Sequence, residues 1–222
     1  MSFINRMKCV VKYVYTKLPA MSIAMFHAVC DTDGFGSFSN SIQSFRNILN
    51  AIEQNVISIE DYQVLPLKKR NGKYLLTFDD GLENFYNNAF PILVEKQLPF
   101  ILFITTDNIG RVGYLSMKQI REIAEYPGCT IGSHCVHHKE MTDLSVEEIE
   151  KEFRESKQTI ENWLPNKMCE YIAYPFGSND SDVRKIARRY YKLGFAVRGI
   201  KATCITCLGN MQIPRIDMSD RR

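Results

Sequence analysis

Residues 74–81 read YLLTFDDG, an apolar run that ends in two adjacent carboxylates and a glycine. An uninterrupted apolar run of this length predicts a strand that is buried on both faces, as the strands of parallel sheets are. Similar short runs occupy residues 22–29, 100–104, 129–133, 170–174, 194–197 and 211–216. Helical patterns lie between these runs, and this alternation predicts parallel β/α units. Seven candidate strands favour a barrel of the α/β class over a short open sheet.

The segments between the strands carry helix-start signals. Ser116 is followed three residues later by Gln119, and Ser145 is followed by Glu148 at the same spacing. Both pairs have the pattern of a capping box, so each predicts the first turn of a helix. We expect residues 201–210 to form a loop over the rim of the barrel.

The composition is that of a globular protein. The 222 residues are 45% hydrophobic and 24% charged, with a formal net charge of +3. No apolar run reaches the roughly 18 residues that a membrane-spanning helix needs. The small net charge and the lack of a basic stripe interleaved with aromatic residues predict no nucleic-acid partner.

The first residues and the cysteines bear on location. Residues 3–18 place apolar side chains at helical spacing and basic side chains between them, so residues 1–20 are predicted to form a basic amphipathic helix. This helix either packs on the remaining domain, residues 21–222, or contacts an anionic membrane surface peripherally. The seven cysteines are scattered, and three lysines interrupt any apolar leader. We therefore expect a reducing, cytoplasmic location, at the membrane surface if the helix docks there.

Polar residues collect where the predicted strands end. In parallel β/α folds these ends meet at one rim, where functional groups lie. Asp79 and Asp80 follow one strand, and His134 and His138 follow another at a spacing that places both imidazoles on one side of a turn. Two adjacent buried carboxylates repel each other, and a divalent cation would relieve this. Two histidines and one carboxylate leave coordination positions open, as a catalytic metal requires. Each motif alone also has a plainer interpretation, as a helix cap or solvated turn for the aspartates and as a polar surface loop for the histidines.

Three segments carry a resemblance to a known family. Residues 77–81 (TFDDG), 132–138 (GSHCVHH) and 173–177 (AYPFG) resemble, in order, the three main motifs of the polysaccharide deacetylases. This is the NodB-homology group, also called carbohydrate esterase family 4. Softer similarity, such as MFH at residues 25–27, extends the match over residues 22–217.

The resemblance implies a distorted (β/α) barrel and a metal-dependent deacetylase. Asp79 would be the general base. Asp80, His134 and His138 would hold the metal. The backbone N–H of Phe176 would help to hold the oxyanion, while Tyr174 and Pro175 would form the wall of the acetyl pocket.

This chain departs from the family pattern at two places. Many members open the third motif with an arginine that tethers the catalytic aspartate, and this chain has Ala173 there. Arg215 ends the last predicted strand, and we hypothesise that it takes over this task. Many members also have a late histidine as general acid, but no histidine follows His138. The acid is then His27, or a residue that the sequence does not identify; a buried structural role for His27 is an equal alternative.

The sequence thus predicts a hydrolase that removes acetyl groups from an N-acetylated sugar or polysaccharide, with amide and ester cleavage both open. The substrate would be an N-acetylated glycan or a lipid-linked sugar precursor. One divalent ion is implied; zinc suits the ligand set, and cobalt, nickel, iron and manganese are compatible. The alternatives are a catalytically weak or inactive barrel that binds glycan and, more distantly, an amidohydrolase of small cyclic amides.

Overall fold

A computed structural model describes residues 20–31, 38–197, 202–203 and 210–220. The described strands are β1 (Ala20–Phe26), β2 (Ala28–Val29), β3 (Ser39–Asn40), β4 (Tyr74–Phe78), β5 (Phe100–Ile104), β6 (Cys129–Ser133), β7 (Tyr171–Ala173), β8 (Leu193–Val197), β9 (Ala202–Thr203) and β10 (Ile213–Asp217). The α-helices are α1 (Ile42–Ile52), α2 (Ile59–Val64), α3 (Phe90–Glu95), α4 (Met117–Glu125), α5 (Val146–Trp163) and α6 (Ser181–Ala187). Single helical turns lie at Glu53–Asn55, Leu67–Arg70, Phe85–Ala89, Thr106–Asn108, Met141–Asp143 and Pro175–Gly177.

Seven of the strands form a closed, all-parallel barrel. Their order is β1, β4, β5, β6, β7, β8 and β10, and each pairs with the next. The pairing of Ala24 with Ile216 joins β10 to β1 and leaves no open edge in the barrel. The prediction of an α/β barrel with seven parallel strands is therefore confirmed.

The barrel strands consist of uninterrupted apolar residues because one face of each strand packs in the barrel interior and the other packs against the helices. Ile23, Leu75 and Ile101 face the barrel interior, whereas their neighbours Ala24, Leu76 and Leu102 pack in the layer between the barrel and the helices. The predicted capping boxes at Ser116 and Ser145 are both present and begin α4 and α5. Side chains at the inward-facing positions near the ends of the strands necessarily point toward the mouth of the barrel.

Two expectations about the connections were wrong. Residues 22–29 do not form one strand, because the chain leaves the barrel after Phe26 and β2 pairs with β3 in a separate two-stranded sheet. Residues 201 and 204–209 of the segment 201–210 lie outside the described residues; β9 within that segment does not lie over the rim but pairs antiparallel with Ala20 and Met21 at the start of β1. That position is at the opposite end of the barrel from the carboxyl ends of the strands.

The predicted helix over residues 3–18, and with it the membrane contact, lies outside the described residues. Among the residues that are described, no helix combines the length and the apolar character needed to cross a bilayer.

Candidate active site

The two aspartates after β4 face different groups. Asp79 still follows the sheet, and its backbone N–H donates to the Phe26 carbonyl at 3.0 Å. Asp80 and Gly81 then both adopt the left-handed region, with φ of 72° and 76°. This turn directs the Asp79 carboxylate toward the last strand and the Asp80 carboxylate toward the end of β6.

Arg215 holds Asp79 through two parallel bonds. Its Nη1 and Nη2 donate to the two Asp79 carboxylate oxygens at 2.6 and 2.7 Å, and Nη1 also reaches Thr77 Oγ1 at 3.3 Å. Arg215 is 0% and Asp79 3% exposed. Burial by itself raises the pKa of Asp79, but the Arg215 guanidinium, together with the nearby His134 and His27, more than offsets this and leaves that pKa well below its usual range. The residue that sequence reasoning named as the tether thus contacts the aspartate as that hypothesis requires.

The predicted metal ligands lie together. Asp80 Oδ1 is 3.5 Å from His134 Nε2 and 3.3 Å from His138 Nε2, and the three ligand atoms all lie within 4.8 Å of one another. His134 Nδ1 contacts the Ala173 carbonyl at 2.7 Å, which orients Nε2 toward Asp80. Asp80 Oδ1 and His134 Nε2 are buried and have no hydrogen-bond partner among the described residues. Such atoms are costly to bury unpaired, so a carboxylate and two imidazoles in this state fit a divalent cation.

The pKa shifts of the three residues differ: those of Asp80 and His134 suit a cation, and that of His138 favours its protonated form in the metal-free protein. Burial lowers the pKa of His134, and this favours the neutral imidazole that binds metals. Burial raises the pKa of Asp80, but the nearby His138 and His134 lower it more, so this carboxyl stays ionised. For His138, burial lowers the pKa and the adjacent Asp80 carboxylate outweighs it, so that the net pKa is raised. That these residues hold a metal stays a prediction.

His27 lies beside the aspartate pair. Its Nε2 is 3.9 Å from Asp79 Oδ2, and its ring packs against Phe38 with centroids 5.4 Å apart. Its Nδ1 is buried without a hydrogen-bond partner among the described residues. His27 also lines the cavity described below. The placement therefore brings His27 to the site, whereas its role as general acid stays a prediction.

The YPFG segment brings Tyr174 and Phe176 to the cavity beside the histidines. Phe176 has a φ of 56°, and its ring, 63% exposed, packs edge-on against His138 with centroids 4.6 Å apart. Tyr174 is a lining residue, but its ring is fully buried against Phe153 in the layer between barrel and helices. Pro175 is buried and is not one of the described residues that line the cavity, and its place in the pocket wall stays a prediction. The contribution of the Phe176 backbone N–H stays a prediction.

These groups open into a cavity of about 630 Å³ at the carboxyl ends of the strands. Its mouth is largely apolar, and several lining residues have no counterpart in the sequence prediction: Phe38, Leu82, Val112, Tyr114 and Val197. Val112 is fully exposed between two glycines of positive φ, Gly110 and Gly113. No motif marks these residues, since they lie on loops whose position depends on the closed barrel.

Backbone strain is concentrated here. Six described residues other than glycine have positive φ, and four of them surround the site: Asp80, Cys135, His138 and Phe176. Each such conformation costs on the order of 1 kcal/mol or more and persists only where the surroundings enforce it. Asp79 and His134 are buried and Asp80 and His138 are only partly exposed, which does not fit the plainer interpretation of the two motifs as solvated surface turns.

Comparisons with known proteins agree on one family. The chain matches the family model described as Polysaccharide deacetylase over residues 67–193. It is 25% identical to YxkH of Bacillus subtilis (strain 168) over 187 residues, which are 82% of this chain and 66% of that protein. It is 28% identical over 212 residues to a poly-beta-1,6-N-acetyl-D-glucosamine N-deacetylase of Staphylococcus aureus (strain MRSA252), covering 84% of this chain and 72% of the relative. A solved structure of the Streptococcus pyogenes deacetylase PplD in complex with acetate superposes with a TM-score of 0.80 at 26% identity, covering 90% and 92% of the two chains. The chain thus spans about two thirds of the length of the YxkH protein.

Proposed function

Because this chain belongs to the polysaccharide deacetylase family, we propose that it is a hydrolase that removes acetyl groups from an N-acetylated glycan with one divalent metal ion. One observation carries the proposal. The Asp79 carboxylate, held by the buried Arg215, lies beside the ligand atoms of Asp80, His134 and His138. Two of these atoms, Asp80 Oδ1 and His134 Nε2, have no hydrogen-bond partner among the described residues. This pairs a base with a metal site at the mouth of the barrel.

Asp80, His134 and His138 would hold the ion, and their oxygen and nitrogen donors suit zinc, with cobalt, nickel, iron or manganese as compatible ions. When bound, such an ion polarises the acetyl carbonyl and lowers the pKa of a coordinated water. The rest of the reaction depends on side chains of this chain.

Asp79 would accept the proton of the attacking water. Its low pKa keeps it ionised, and each carboxylate oxygen retains a lone pair after bonding to Arg215. The oxygen of the water then bonds to the acetyl carbon, and the backbone N–H of Phe176 would donate to the carbonyl oxygen as it gains charge. Among the described residues, Arg215 donates hydrogen bonds to Asp79 and Thr77, so we assign it a positioning role for the base.

The nitrogen that leaves the acetyl carbon must gain a proton as the C–N bond breaks. Once the base and the metal ligands are assigned, His27 is the imidazole that remains among the described lining residues. We therefore assign to His27 the donation of that proton, which leaves acetate and a free amine as products. His27 Nε2 lies 3.9 Å from Asp79, close enough for both groups to face one scissile bond.

The cavity favours an uncharged sugar. Arg215 is the one lysine or arginine among the described lining residues, and Asp79 neutralises it. Among the described lining residues, a phosphate or carboxylate on the ring at the scissile bond would therefore meet two aspartates and no unpaired lysine or arginine. The Staphylococcus aureus relative acts by name on an N-acetyl-D-glucosamine polymer, and this supports an N-acetylhexosamine as the substrate class. A lipid-linked precursor is the second form of the same substrate.

The test is acetate release from N-acetylhexosamine oligomers by the metal-stripped protein, with zinc, cobalt or nickel added back. Release that depends on added metal and is lost in Asp79→Asn supports the proposal. Glycan binding without release under all metals contradicts it and supports an inactive binding barrel instead. The reasons to expect that barrel were the missing arginine of the third motif and the missing late histidine. The Arg215 contact supplies an arginine at Asp79, and the proposed role of His27 would supply the acid.

A further inference from the structure

Glu152 is a buried acid that takes no part in the reaction described above. It lies on α5 and is 5% exposed. Its Oε2 accepts the backbone N–H groups of Val136 at 2.8 Å and His137 at 3.1 Å, and its Oε1 contacts His137 Nδ1 at 2.5 Å. A buried carboxylate that is fully engaged with one short turn serves that turn, because leaving its charge unpaired would be costly.

The turn that Glu152 holds is the one between His134 and His138. It is strained, with Cys135 at φ 63° and His138 at φ 53°. Two left-handed residues this close together require external bonds to hold them. Without such bonds the turn would relax, and the two imidazoles would no longer converge on Asp80.

Ser156, one helical turn after Glu152, fixes the start of the same turn. Its hydroxyl lies 2.8 Å from Ser133 Oγ, and Ser133 Oγ accepts the backbone N–H of Cys135 at 3.1 Å. One face of α5 thus bonds to the turn at both ends. The end of β5 adds two backbone bonds, from Thr106 N–H to the Cys135 carbonyl and from Asp107 N–H to the Val136 carbonyl. These last bonds do not involve Glu152, so the turn keeps part of its support when Glu152 is replaced.

We propose that Glu152 is a positioning residue for the metal site: by bonding the backbone of the turn it keeps His134 and His138 in the arrangement that binds the ion. The proposal rests on the proposed function in assuming that these two residues and Asp80 are the metal ligands. Residues that do not touch the metal but orient its ligands through hydrogen bonds typically contribute a factor of about 10–100 in metal affinity.

The experiment measures metal affinity directly. The full-length metal-free protein is titrated with Co²⁺, followed by its visible absorption, and with Zn²⁺ in competition with a chromophoric chelator. Glu152→Ala removes every bond that Glu152 makes to the turn, and we expect affinity about 10–100-fold weaker. Glu152→Gln keeps an amide oxygen that can accept both N–H groups without the charge, so a smaller loss, about 3–10-fold, is expected because hydrogen bonds to a charged acceptor are about twice as strong.

Glu155→Gln is the matched control, since Glu155 lies on the same helix, is partly exposed and pairs with Arg154 at 3.7 Å. Its affinity should equal that of the unmodified protein. Saturating metal should restore kcat of Glu152→Gln with KM for the glycan unchanged. A role in stability alone would instead lower the melting temperature of the metal-free protein and leave its metal affinity intact.

Three outcomes distinguish failure of the positioning role of Glu152 from failure of the proposed function. If Glu152→Ala is folded and binds both ions as tightly as the unmodified protein, the positioning role is wrong. If Glu152→Ala does not fold, Glu152→Gln decides, and unchanged affinity in that variant refutes the proposal. If the unmodified protein itself binds no metal, or Asp80→Ala binds as well as it does, the proposed function fails.

Discussion

Replacing Arg215 by methionine tests the most buried contact of the site. Methionine keeps an unbranched side chain of similar length but removes the guanidinium that donates to both oxygens of Asp79. Both partners are almost fully inaccessible, at 0% and 3% exposure. Removing one partner of such a buried pair leaves an uncompensated charge and costs about 3–5 kcal/mol.

The same change raises the pKa of Asp79. In the intact protein, burial raises this pKa, and the charge and hydrogen bonds of Arg215, together with the nearby His134 and His27, outweigh burial and lower it. Without Arg215, the largest lowering contribution is lost and the pKa of Asp79 rises. Since one pKa unit corresponds to about 1.4 kcal/mol, a cost of 3–5 kcal/mol corresponds to an upward shift of about 2–4 units. Asp79 would then take up a proton at a higher pH than in the unmodified protein, and it would lose its function as a base at that higher pH.

Two assays measure these effects. Urea unfolding of the metal-free protein at pH 7 should give a free energy of unfolding about 3–5 kcal/mol lower for Arg215→Met. The acid limb of the pH dependence of kcat/KM should move to higher pH by about 2 units or more. Arg121→Met, at an exposed position of α4, is the control and should change neither quantity. An unchanged acid limb together with a stability loss below about 1 kcal/mol would refute the reasoning.

Three further predictions concern single residues. His27→Gln should lower kcat by about 100-fold and remove the basic limb of the pH–rate profile, if His27 donates the proton to the leaving amine; an unchanged profile assigns it a structural role. Gly132→Ala should cost about 1–3 kcal/mol in urea unfolding, because a Cβ there would lie 2.5 Å from the Phe103 ring and 3.0 Å from the Tyr171 carbonyl; a neutral effect would show that the strand shifts freely. Burial raises the pKa of Asp220, but hydrogen bonds from Ser44 and from the Ser41 N–H lower it more, so the pKa is lower in the folded than in the unfolded protein. The stabilisation by Asp220 is therefore present above the unfolded pKa, and it is lost as the pH falls through the folded pKa. Asp220→Asn should therefore flatten the loss of stability below pH 4, and an equally steep loss would contradict this.

Much of the barrel could be predicted from the sequence because its strands are covered on both faces. β4, β5 and β6 begin and end where their apolar runs do. The run over residues 22–29 misleads for the same reason: Ala28 and Val29 are buried, but against a second small sheet and not in the barrel. An apolar run indicates burial, and it does not indicate which sheet provides it.

The part of the site that could be predicted consists of acidic and histidine side chains that directly follow the predicted strands. Asp79, Asp80, His134 and His138 converge because they follow parallel strands at one end of the barrel. Arg215 could be proposed only as the residue that ends the last strand, since nothing local indicates a partner 136 positions away. The loop residues Val112 and Val197 could not be predicted at all, because their place at the cavity depends on the tertiary structure.

Glu152 shows another limit of sequence reasoning. In the sequence it is one of several acids on a charged helix that begins at the capping box of Ser145. Only the packing of α5 against the end of β6 distinguishes it from exposed neighbours such as Glu147.

The most direct test of the account is acetate release by metal-free protein before and after zinc is added, measured side by side for the unmodified chain and for Asp79→Asn, with zinc affinity determined for both. We predict release only in the unmodified protein with zinc, and zinc binding in both, because Asp80, His134 and His138 remain intact in the variant. Equal acetate release by the two proteins, or release that does not depend on zinc or any other added divalent ion, would contradict the assignment of Asp79 as base beside a metal site.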